Sequence, residues 1–463
     1  MSRFNSGMKA CGIFLLWAAT AAALPAQTFT TLHSFDNTDG GFPRAGLVQG
    51  TNGKFYGTTI GGGAYGDGTV FSMTASGALT TLHSFDGTDG ANPSAGLVQG
   101  TNGKFYGTTQ SGGTGGIGTV FSITAGGTLT TLHSFADSAT DGANPTAGVV
   151  QGTNGKFYGT TTAGGAYGDG TVFSIIASGT LTILHSFAGS ATDGANPIAG
   201  LVQGTNGDFY GTTFLGGSYD GGTVFSITAS GTLTTLYSFS GADGSFPTAG
   251  LVQGANGKFY GTTPPGGGTV FSITANGTPT KLYTFCSGGG VCADGSSPGA
   301  GLIQGTNGKF YGTTNAGGAN GDGDGTVFSI TASGALTTLH SFDGTDGEFP
   351  EAALAQGTNG KFYGTTTDGG ANGDGTVFSL SVGLGPFVIT QTTSGAEGVA
   401  VTILGTSLTG STGVTFNGTA ANFTVVSASE ITTTVPSGAT TGTVQVKTPG
   451  GTLSSNLPFT VLH

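Results

Sequence analysis

A short pattern of large apolar and small polar residues, Phe-Tyr-Gly-Thr-Thr, recurs along the chain and sets its organisation. Its spacings are 50, 52, 52, 50, 51 and 52 residues. The seven copies begin at Phe55, Phe105, Phe157, Phe209, Phe259, Phe310 and Phe362. A fixed period of this size predicts a repeat architecture, in which each unit leaves apolar surface that only its neighbours can cover.

Each repeat predicts four antiparallel strands. In the second repeat, residues 95–100 and 104–109 flank a Thr-Asn-Gly turn, and Asn-Gly suits the positive φ of a hairpin. A glycine-rich loop and a Gly-Gly turn then introduce the third and fourth strands. Phe105 and Tyr106 must point to opposite faces because strand side chains alternate. Both faces of each sheet are therefore predicted to be aromatic.

A four-stranded sheet that is apolar on both faces needs a neighbour on each side, as in a β-propeller. A Leu-His-Ser-Phe strand precedes the first repeat at Leu32, but no copy follows the last repeat, which ends at Leu380. The N-terminal copy can complete the last sheet and so remove open edges. The sequence thus predicts an all-β chain with a seven-bladed β-propeller over residues 27–381.

Both ends of the chain depart from the repeat. Arg3 and Lys9 precede an uncharged run over residues 10–23, which predicts a secretory signal peptide over residues 1–26, cleaved after Ala26 or Ala23. Residues 382–385 are predicted to be a linker. About seven short alternating strands in residues 386–463 then favour an immunoglobulin-like β-sandwich.

The composition excludes several classes of protein and partner. With 94 glycines and no Gly-X-Y triplet the chain is not collagen, and its 32 Phe and 12 Tyr exceed what a disordered tract carries. The net charge of −12 becomes about −14 when Arg3 and Lys9 are removed with the signal peptide. Such an acidic surface argues against nucleic acid and anionic membranes as partners. The mature chain is expected to carry no transmembrane anchor.

An Asp-Gly-x-x-Pro motif marks every inter-blade loop. Its aspartates are Asp39, Asp89, Asp141, Asp193, Asp243, Asp294 and Asp346. They form either a ring of carboxylates for Ca²⁺ or for a cationic or polyhydroxylated ligand, or a set of turn caps that accept backbone N–H bonds. No loop has the spacing of an EF-hand or RTX site. The Thr-Asn-Gly turns, most of them followed by Lys, must emerge at the opposite, mildly basic end.

Other candidate chemistry is sparse. Recurrent histidines such as His33 are interpreted as packed strand residues, because one in a blade cannot converge on a metal. The features that break the repeat are Arg44, Lys281, the loop of residues 286–292, Glu348 and Glu351, and they form no recognisable constellation. Cys286 and Cys292, close together in an exported chain, are predicted to form a local disulfide. No catalytic residues, metal ligands or cofactors are assigned.

The motifs Ala-Gly-Leu-Val-Gln-Gly, Phe-Tyr-Gly-Thr-Thr and Gly-Thr-Val-Phe-Ser resemble those of bacterial choice-of-anchor tandem repeat proteins of the GloVer type, over residues 28–380. That resemblance implies export and brings no established activity. Residues 386–461 are similar to IPT/TIG domains, with Gly-x-x-Val-Thr-Ile-x-Gly, Val-x-Phe-Asn-Gly and Val-Pro. Such domains commonly serve as spacers or contact modules.

These features favour an exported, non-catalytic binding or cell-surface scaffold protein with carbohydrate or protein ligands. One alternative is a secreted carbohydrate-active or lactone-cleaving enzyme, with its site at the acidic mouth of the propeller channel. A purely structural surface-layer protein is the other. An enzyme needs unlike residues that converge within hydrogen-bond reach, whereas a scaffold should show the same loop seven times.

Overall fold

The computed structural model describes residues 27–288, 290–319 and 323–462. The predicted signal peptide lies outside these residues. The regular structure of the described residues is β-strand throughout, which confirms the all-β fold class. Within those same ranges, no helix has the length and hydropathy that a membrane crossing requires.

The repeats form seven four-stranded antiparallel sheets, here called repeat sheets 1 to 7. The first strands are Val48–Gln49, Val98–Gln99, Val150–Gln151, Val202–Gln203, Val252–Gln253, Ile303–Gln304 and Ala355–Gln356. The second strands are Phe55–Thr59, Phe105–Thr109, Phe157–Thr161, Phe209–Thr213, Phe259–Thr263, Phe310–Thr314 and Phe362–Thr366. The third strands are Thr69–Met73, Thr119–Ile123, Thr171–Ile175, Thr223–Ile227, Thr269–Ile273, Thr326–Ile330 and Thr376–Ser381. The fourth strands of sheets 1 to 6 are Leu79–Ser84, Leu129–Ser134, Leu181–Ser186, Leu233–Ser238, Pro279–Thr284 and Leu336–Ser341.

The fourth strand of repeat sheet 7 comes from the N-terminus. Thr28–Ser34 pairs antiparallel with Thr376–Ser381, from Thr28 opposite Ser381 to Ser34 opposite Thr376. A register shift between Thr31 and His33 matches the shift in the third-to-fourth pairing of the other repeat sheets. The first and last segments of the repeat region therefore share one sheet.

Stacked aromatic rings join neighbouring sheets. Tyr56 of sheet 1 stacks on Phe105 of sheet 2 with ring centroids 3.9 Å apart, and both side chains are buried. Equivalent pairs join each sheet to the next, and Tyr363 of sheet 7 packs on Phe55 of sheet 1 at 4.0 Å. The two aromatic faces that side-chain alternation predicts are thus both used.

The first strands are shorter than the six residues predicted, because their Ala-Gly segments pack backbone against backbone. A Cβ on Gly46 would lie 2.7 Å from the carbonyl oxygen of Ala353, and one on Gly96 would lie 3.0 Å from that of Gly46. Only small residues fit where neighbouring first strands approach so closely. These segments line the centre of the repeat region.

Two short two-stranded sheets tie inter-sheet loops to the loops that follow second strands. They pair Gly142–Ala143 with Ala163–Gly164, and Gly194–Ala195 with Leu215–Gly216.

After Thr376–Ser381 the chain forms a second unit of two four-stranded sheets. One contains Ile389–Thr390, Ala400–Leu404, Glu430–Thr434 and Phe423–Val425. The other contains Thr419–Ala421, Gly413–Phe416, Val444–Thr448 and Gly451–Ser454. Ser394–Ala396 pairs parallel with Thr460–Leu462. Residues of both sheets, among them Ile403 and Phe416, share one buried core, so the unit is a sandwich.

The C-terminal sandwich contacts the Thr-Asn-Gly turns of repeat sheets 7 and 1. Phe387 donates its N–H to the carbonyl oxygen of Thr358 at 2.9 Å, and Ser429 Oγ donates to that of Thr51 at 2.7 Å. The end of the repeat region that carries these turns is called the Asn-Gly face below. The opposite end, formed by the Asp-Gly loops, is called the Asp-Gly face.

Candidate functional site

The seven aspartates of the Asp-Gly loops are each held by an aromatic side chain of the preceding fourth strand. Five accept from a histidine Nε2 at 2.7–3.1 Å: the pairs are His33–Asp39, His83–Asp89, His133–Asp141, His185–Asp193 and His340–Asp346. Tyr237 and Tyr283 replace histidine in the other two, where their hydroxyls donate to Asp243 and Asp294. The histidines are therefore packed strand residues that also bind carboxylates.

The same aspartates also cap their turns. Asp39 accepts the N–H of Asp36 at 3.2 Å, and Asp141 accepts that of Ala136 at 3.1 Å. Corresponding backbone bonds reach Asp89, Asp193, Asp243, Asp294 and Asp346. Each aspartate is thus engaged within its own loop. Among the described residues, no group of three or more His, Cys, Asp or Glu is placed to hold a metal ion.

In the His185–Asp193 pair, burial and hydrogen bonding have opposite effects on the pKa of the carboxyl group. Burial alone would raise the pKa of Asp193, but the hydrogen bond from His185, the Gly194 N–H and the charge of His185 together lower the pKa of this carboxyl below its ordinary value. Asp193 is therefore held as the carboxylate. The pairing of histidine with aspartate has a sequence signal: a His, or a Tyr in its place, precedes the Asp by six or eight residues in six of the seven repeats.

A cavity of about 190 Å³ opens at the centre, lined by the segment just before the first strand in all seven repeats. Most of its lining is Ala and Gly, but the residue after the repeated proline varies. This position holds Arg44, Ser94, Thr146, Ile198, Thr248, Gly299 and Glu351. The position lies next to the inter-sheet loop, so the variable residues surround the cavity on the Asp-Gly face.

Arg44 and Glu351 meet across the junction of repeat sheets 1 and 7. Arg44 Nε lies 3.0 Å from Glu351 Oε2, and Asn315 Nδ2 of sheet 6 donates to Glu351 Oε1 at 3.3 Å. Oδ1 of Asn315 is buried and has no hydrogen-bond partner. The expectation that the repeat-breaking residues form no constellation is wrong for Arg44 and Glu351. Lys281 lies elsewhere, with Nζ on the carbonyl oxygen of Ala242.

Further carboxylates interact with one another, and one of them, Asp368, interacts with Arg44. Burial raises the pKa of Glu348, and the charges of Asp324 and Asp368 raise it further. Burial also raises the pKa of Asp368, where Asp374 adds to the rise and Arg44 opposes it. The mouth of the cavity at sheets 6, 7 and 1 is therefore rich in negative charge, with Arg44 as the cation that offsets it. Hydroxyl groups and cations are the ligand chemistry that suits such a surface.

Cys286 and Cys292 form a disulfide in the loop between repeat sheets 5 and 6, with their Cα atoms 4.7 Å apart. The N–H of Cys286 donates to Asp294, the loop aspartate that Tyr283 also binds. The disulfide therefore closes the loop that carries one of the seven aspartates. It lies on the Asp-Gly face.

The chain belongs to the Gloeobacter/Verrucomicrobia repeat family, whose model matches residues 20–207, 177–378 and 290–426. No curated protein sequence matches it significantly.

Solved structures show a likeness of fold. The extracellular domain of a protein described as a hybrid two component system from B. thetaiotaomicron aligns with a TM-score of 0.52 at 13% identity. That alignment covers 94% of this chain but spans only 57% of the other. The WD40 β-propeller domain of Doa1 aligns with a TM-score of 0.50 at 12% identity, over 76% of this chain and 97% of that domain. The repeat region is therefore propeller-like.

Proposed function

We propose that the repeat sheets are the blades of a seven-bladed β-propeller over residues 27–381, closed by the N-terminal strand. The pairing of Thr28–Ser34 with Thr376–Ser381 and the packing of Tyr363 on Phe55 support this closure. Residues 382–385 link it to an immunoglobulin-like domain of the IPT/TIG kind over residues 386–463. Residues 1–26 are a cleaved signal peptide, and the mature protein is secreted or held at the cell surface.

The protein is an exported, non-catalytic binding or surface scaffold protein that receives its ligand on the Asp-Gly face. The observation that carries this proposal is the contrast between two sets of polar residues. Seven aspartates perform the same internal task in seven loops, whereas Arg44, Glu351 and Asn315 form one asymmetric set at the cavity mouth. A ligand site needs unlike groups in one place, and this set supplies a cation, a carboxylate and an amide.

The position of the C-terminal sandwich also favours the Asp-Gly face as the ligand-binding face. The C-terminal sandwich covers part of the Asn-Gly face through Ser429 and Phe387, so that face is used for contact within the chain. The Asp-Gly face carries acidic groups and a hydrogen-bonding mouth. A carbohydrate, with many hydroxyl donors and no charge of its own, suits this surface better than an anionic partner.

An enzyme that acts on sugars or lactones at the same mouth is the second candidate. The specific observation in its favour is the raised pKa of Glu348 and Asp368, since a carboxyl that stays protonated longer can act as a general acid. The two candidates predict different products. A binding protein returns its ligand unchanged, whereas an enzyme converts it.

The test uses residues 27–463 and a panel of soluble sugars, polysaccharides and gluconolactone. Calorimetry measures binding, and NMR spectra of the recovered ligand measure conversion. We expect binding without conversion, weakened in Arg44→Ala and unchanged in Lys258→Ala on the Asn-Gly face. Turnover that disappears in Glu348→Gln would replace the binding proposal with the enzyme.

A further inference from the structure

Three tyrosines on the Asp-Gly face are far more exposed than the other aromatic side chains of the repeats. Tyr65, Tyr167 and Tyr219 expose 67%, 67% and 68% of their surface. The recurrent tyrosines of Phe-Tyr-Gly-Thr-Thr, such as Tyr56, are buried. Large aromatic rings that stand in solvent lose the stabilisation that burial would give, so three repeats that place tyrosine at one equivalent loop position indicate a role other than packing.

The three rings occupy one structural position. Each follows the glycine pair in the loop between the second and third strands of repeat sheets 1, 3 and 4. The equivalent residue is Gly115 in sheet 2 and Asn372 in sheet 7. The tyrosines therefore break the repeat, as do the residues at the cavity mouth.

The loops that carry these tyrosines are fixed by backbone hydrogen bonds. Gly165 donates to the carbonyl oxygen of Asp141 at 2.7 Å, and Asn196 donates to that of Asp169 at 2.8 Å, on either side of Tyr167. In the next loop the N–H of Gly217 donates to the carbonyl oxygen of Asp193 at 2.7 Å. The rings are thus presented by an ordered backbone, which lowers the entropy lost when a ligand stacks on them.

A carboxylate accompanies each ring. Asp67 and Asp169 stand two residues after Tyr65 and Tyr167, and Asp220 directly follows Tyr219. In the last loop the side chain of Asp220 accepts the N–H of Gly216 at 3.0 Å, which leaves further acceptor capacity on the carboxylate. An aromatic face beside carboxylate acceptors matches the apolar face and the hydroxyl edge of a sugar ring.

We propose that Tyr65, Tyr167 and Tyr219 form an aromatic platform that binds a neutral polysaccharide by stacking against its sugar rings. This inference rests on the proposed binding function and specifies the class of ligand as a neutral polysaccharide. Sheets 3 and 4 are neighbours, and packed sheets lie about 10 Å apart, so Tyr167 and Tyr219 stand at equivalent loop positions on sheets separated by about that distance. An extended polymer can reach both rings, whereas one monosaccharide cannot. The net charge of −12 and the flanking aspartates disfavour an anionic polymer.

The experiment measures binding of the mature protein, residues 27–463, to xyloglucan, laminarin, hydroxyethyl cellulose and dextran, with alginate as the anionic polymer. Affinity electrophoresis ranks the polymers and calorimetry gives the dissociation constants. We expect at least one neutral polymer to bind, and its constituent monosaccharide to bind far more weakly. Binding of alginate alone, or of no neutral polymer, overturns the proposal.

Variants locate the site. Replacement of all three tyrosines by alanine should weaken binding about tenfold or more, whereas replacement of all three by phenylalanine should keep it, because the ring remains. Tyr167→Ala with Tyr219→Ala should weaken binding more than Tyr65→Ala. Val426→Ala, at an exposed apolar residue of the C-terminal sandwich, is the matched control. Equal thermal midpoints show that every variant is folded.

The outcomes separate this inference from the proposed function. If a neutral polymer binds and the triple alanine variant binds it as well as the unchanged protein, the platform is wrong. If Arg44→Ala then abolishes that binding, the proposed function stands without the platform. If the polymer is cleaved, the platform is a substrate-binding surface and the non-catalytic function is wrong. Self-association that the tyrosine variants abolish, without polymer binding, would assign the rings to a protein contact and overturn the platform.

Discussion

Thr358 donates its backbone N–H to Oε1 of Gln49 at 2.9 Å and so joins the last repeat to the first. The same bond runs from the residue after the repeated Gln-Gly to the glutamine of the following repeat. It occurs at 2.8–3.1 Å in each of the six remaining pairs of neighbouring sheets. The junction of sheets 7 and 1 therefore has the polar contact of the six other junctions, although its partners lie at opposite ends of the chain.

This equivalence predicts that removing a buried ring next to the N-terminal strand destabilises the protein as much as removing the corresponding ring of sheet 1. Phe35 and Phe85 are both fully buried at the same repeat position, one after the N-terminal strand and one after the fourth strand of sheet 1. Phe35→Ala and Phe85→Ala should each lower the free energy of unfolding by about 3–5 kcal/mol. Denaturant unfolding measures both. A much smaller loss for Phe35→Ala would mean that the N-terminal strand is dispensable.

The hydrogen bonds that hold each loop aspartate, here called the aspartate clamp, predict that the stability of the protein depends on pH. Since the pKa of Asp193 is lowered in the folded protein, its stabilisation is present above the ordinary value of 3.8 and is lost as pH falls through the folded pKa. Asp193→Asn should cost about 2 kcal/mol near neutral pH and flatten the loss of stability on acidification. Asp137→Asn, at an exposed residue of the loop one repeat earlier, is the control. Parallel acid curves for unchanged protein and Asp193→Asn would argue against the clamp.

Calcium distinguishes the two roles predicted for the Asp-Gly loops. Each aspartate already accepts from a His or Tyr and from a backbone N–H, so we expect the thermal midpoint to be the same in EDTA and in millimolar Ca²⁺. A ligand bound only by the native state must raise the midpoint. Magnesium at equal ionic strength is the control. A rise specific to Ca²⁺ would establish the loops as ion sites.

The disulfide predicts a modest effect, because Cys286 and Cys292 close a loop of few residues. Replacement of both by serine should lower the free energy of unfolding by about 2 kcal/mol. The unchanged protein in reductant should behave like the double variant. A loss well above this value would indicate that the loop supports more of the fold than its own turn.

Much of the fold follows from the sequence because one physical pattern recurs. Alternation places Phe105 and Tyr106 on opposite faces, and that requires a sheet on each side. The length of the first strands did not follow, since it depends on the close approach of Gly46 to Ala353 in a neighbouring sheet. The sequence does not reveal such distances between backbones.

The candidate site was less accessible to sequence reasoning. Arg44 and Glu351 meet only because the first and last sheets are neighbours, and no local motif contains both. Alignment of the repeats shows that they occupy the same position in their units, so that comparison, combined with the predicted pairing of the first and last segments, could have paired them. The bonds between histidine and aspartate depend on how each loop folds back over its strand, which spacing alone does not fix.

Hydrogen–deuterium exchange of residues 27–463 tests most directly whether the Asp-Gly face receives the ligand. The spectra would be compared with and without a saturating neutral polysaccharide chosen by the binding screen. We expect slower exchange in the loops of residues 60–68, 162–170 and 214–222 and around Arg44, with the Thr-Asn-Gly turns unchanged. Protection confined to the Asn-Gly face or to the C-terminal sandwich would contradict it.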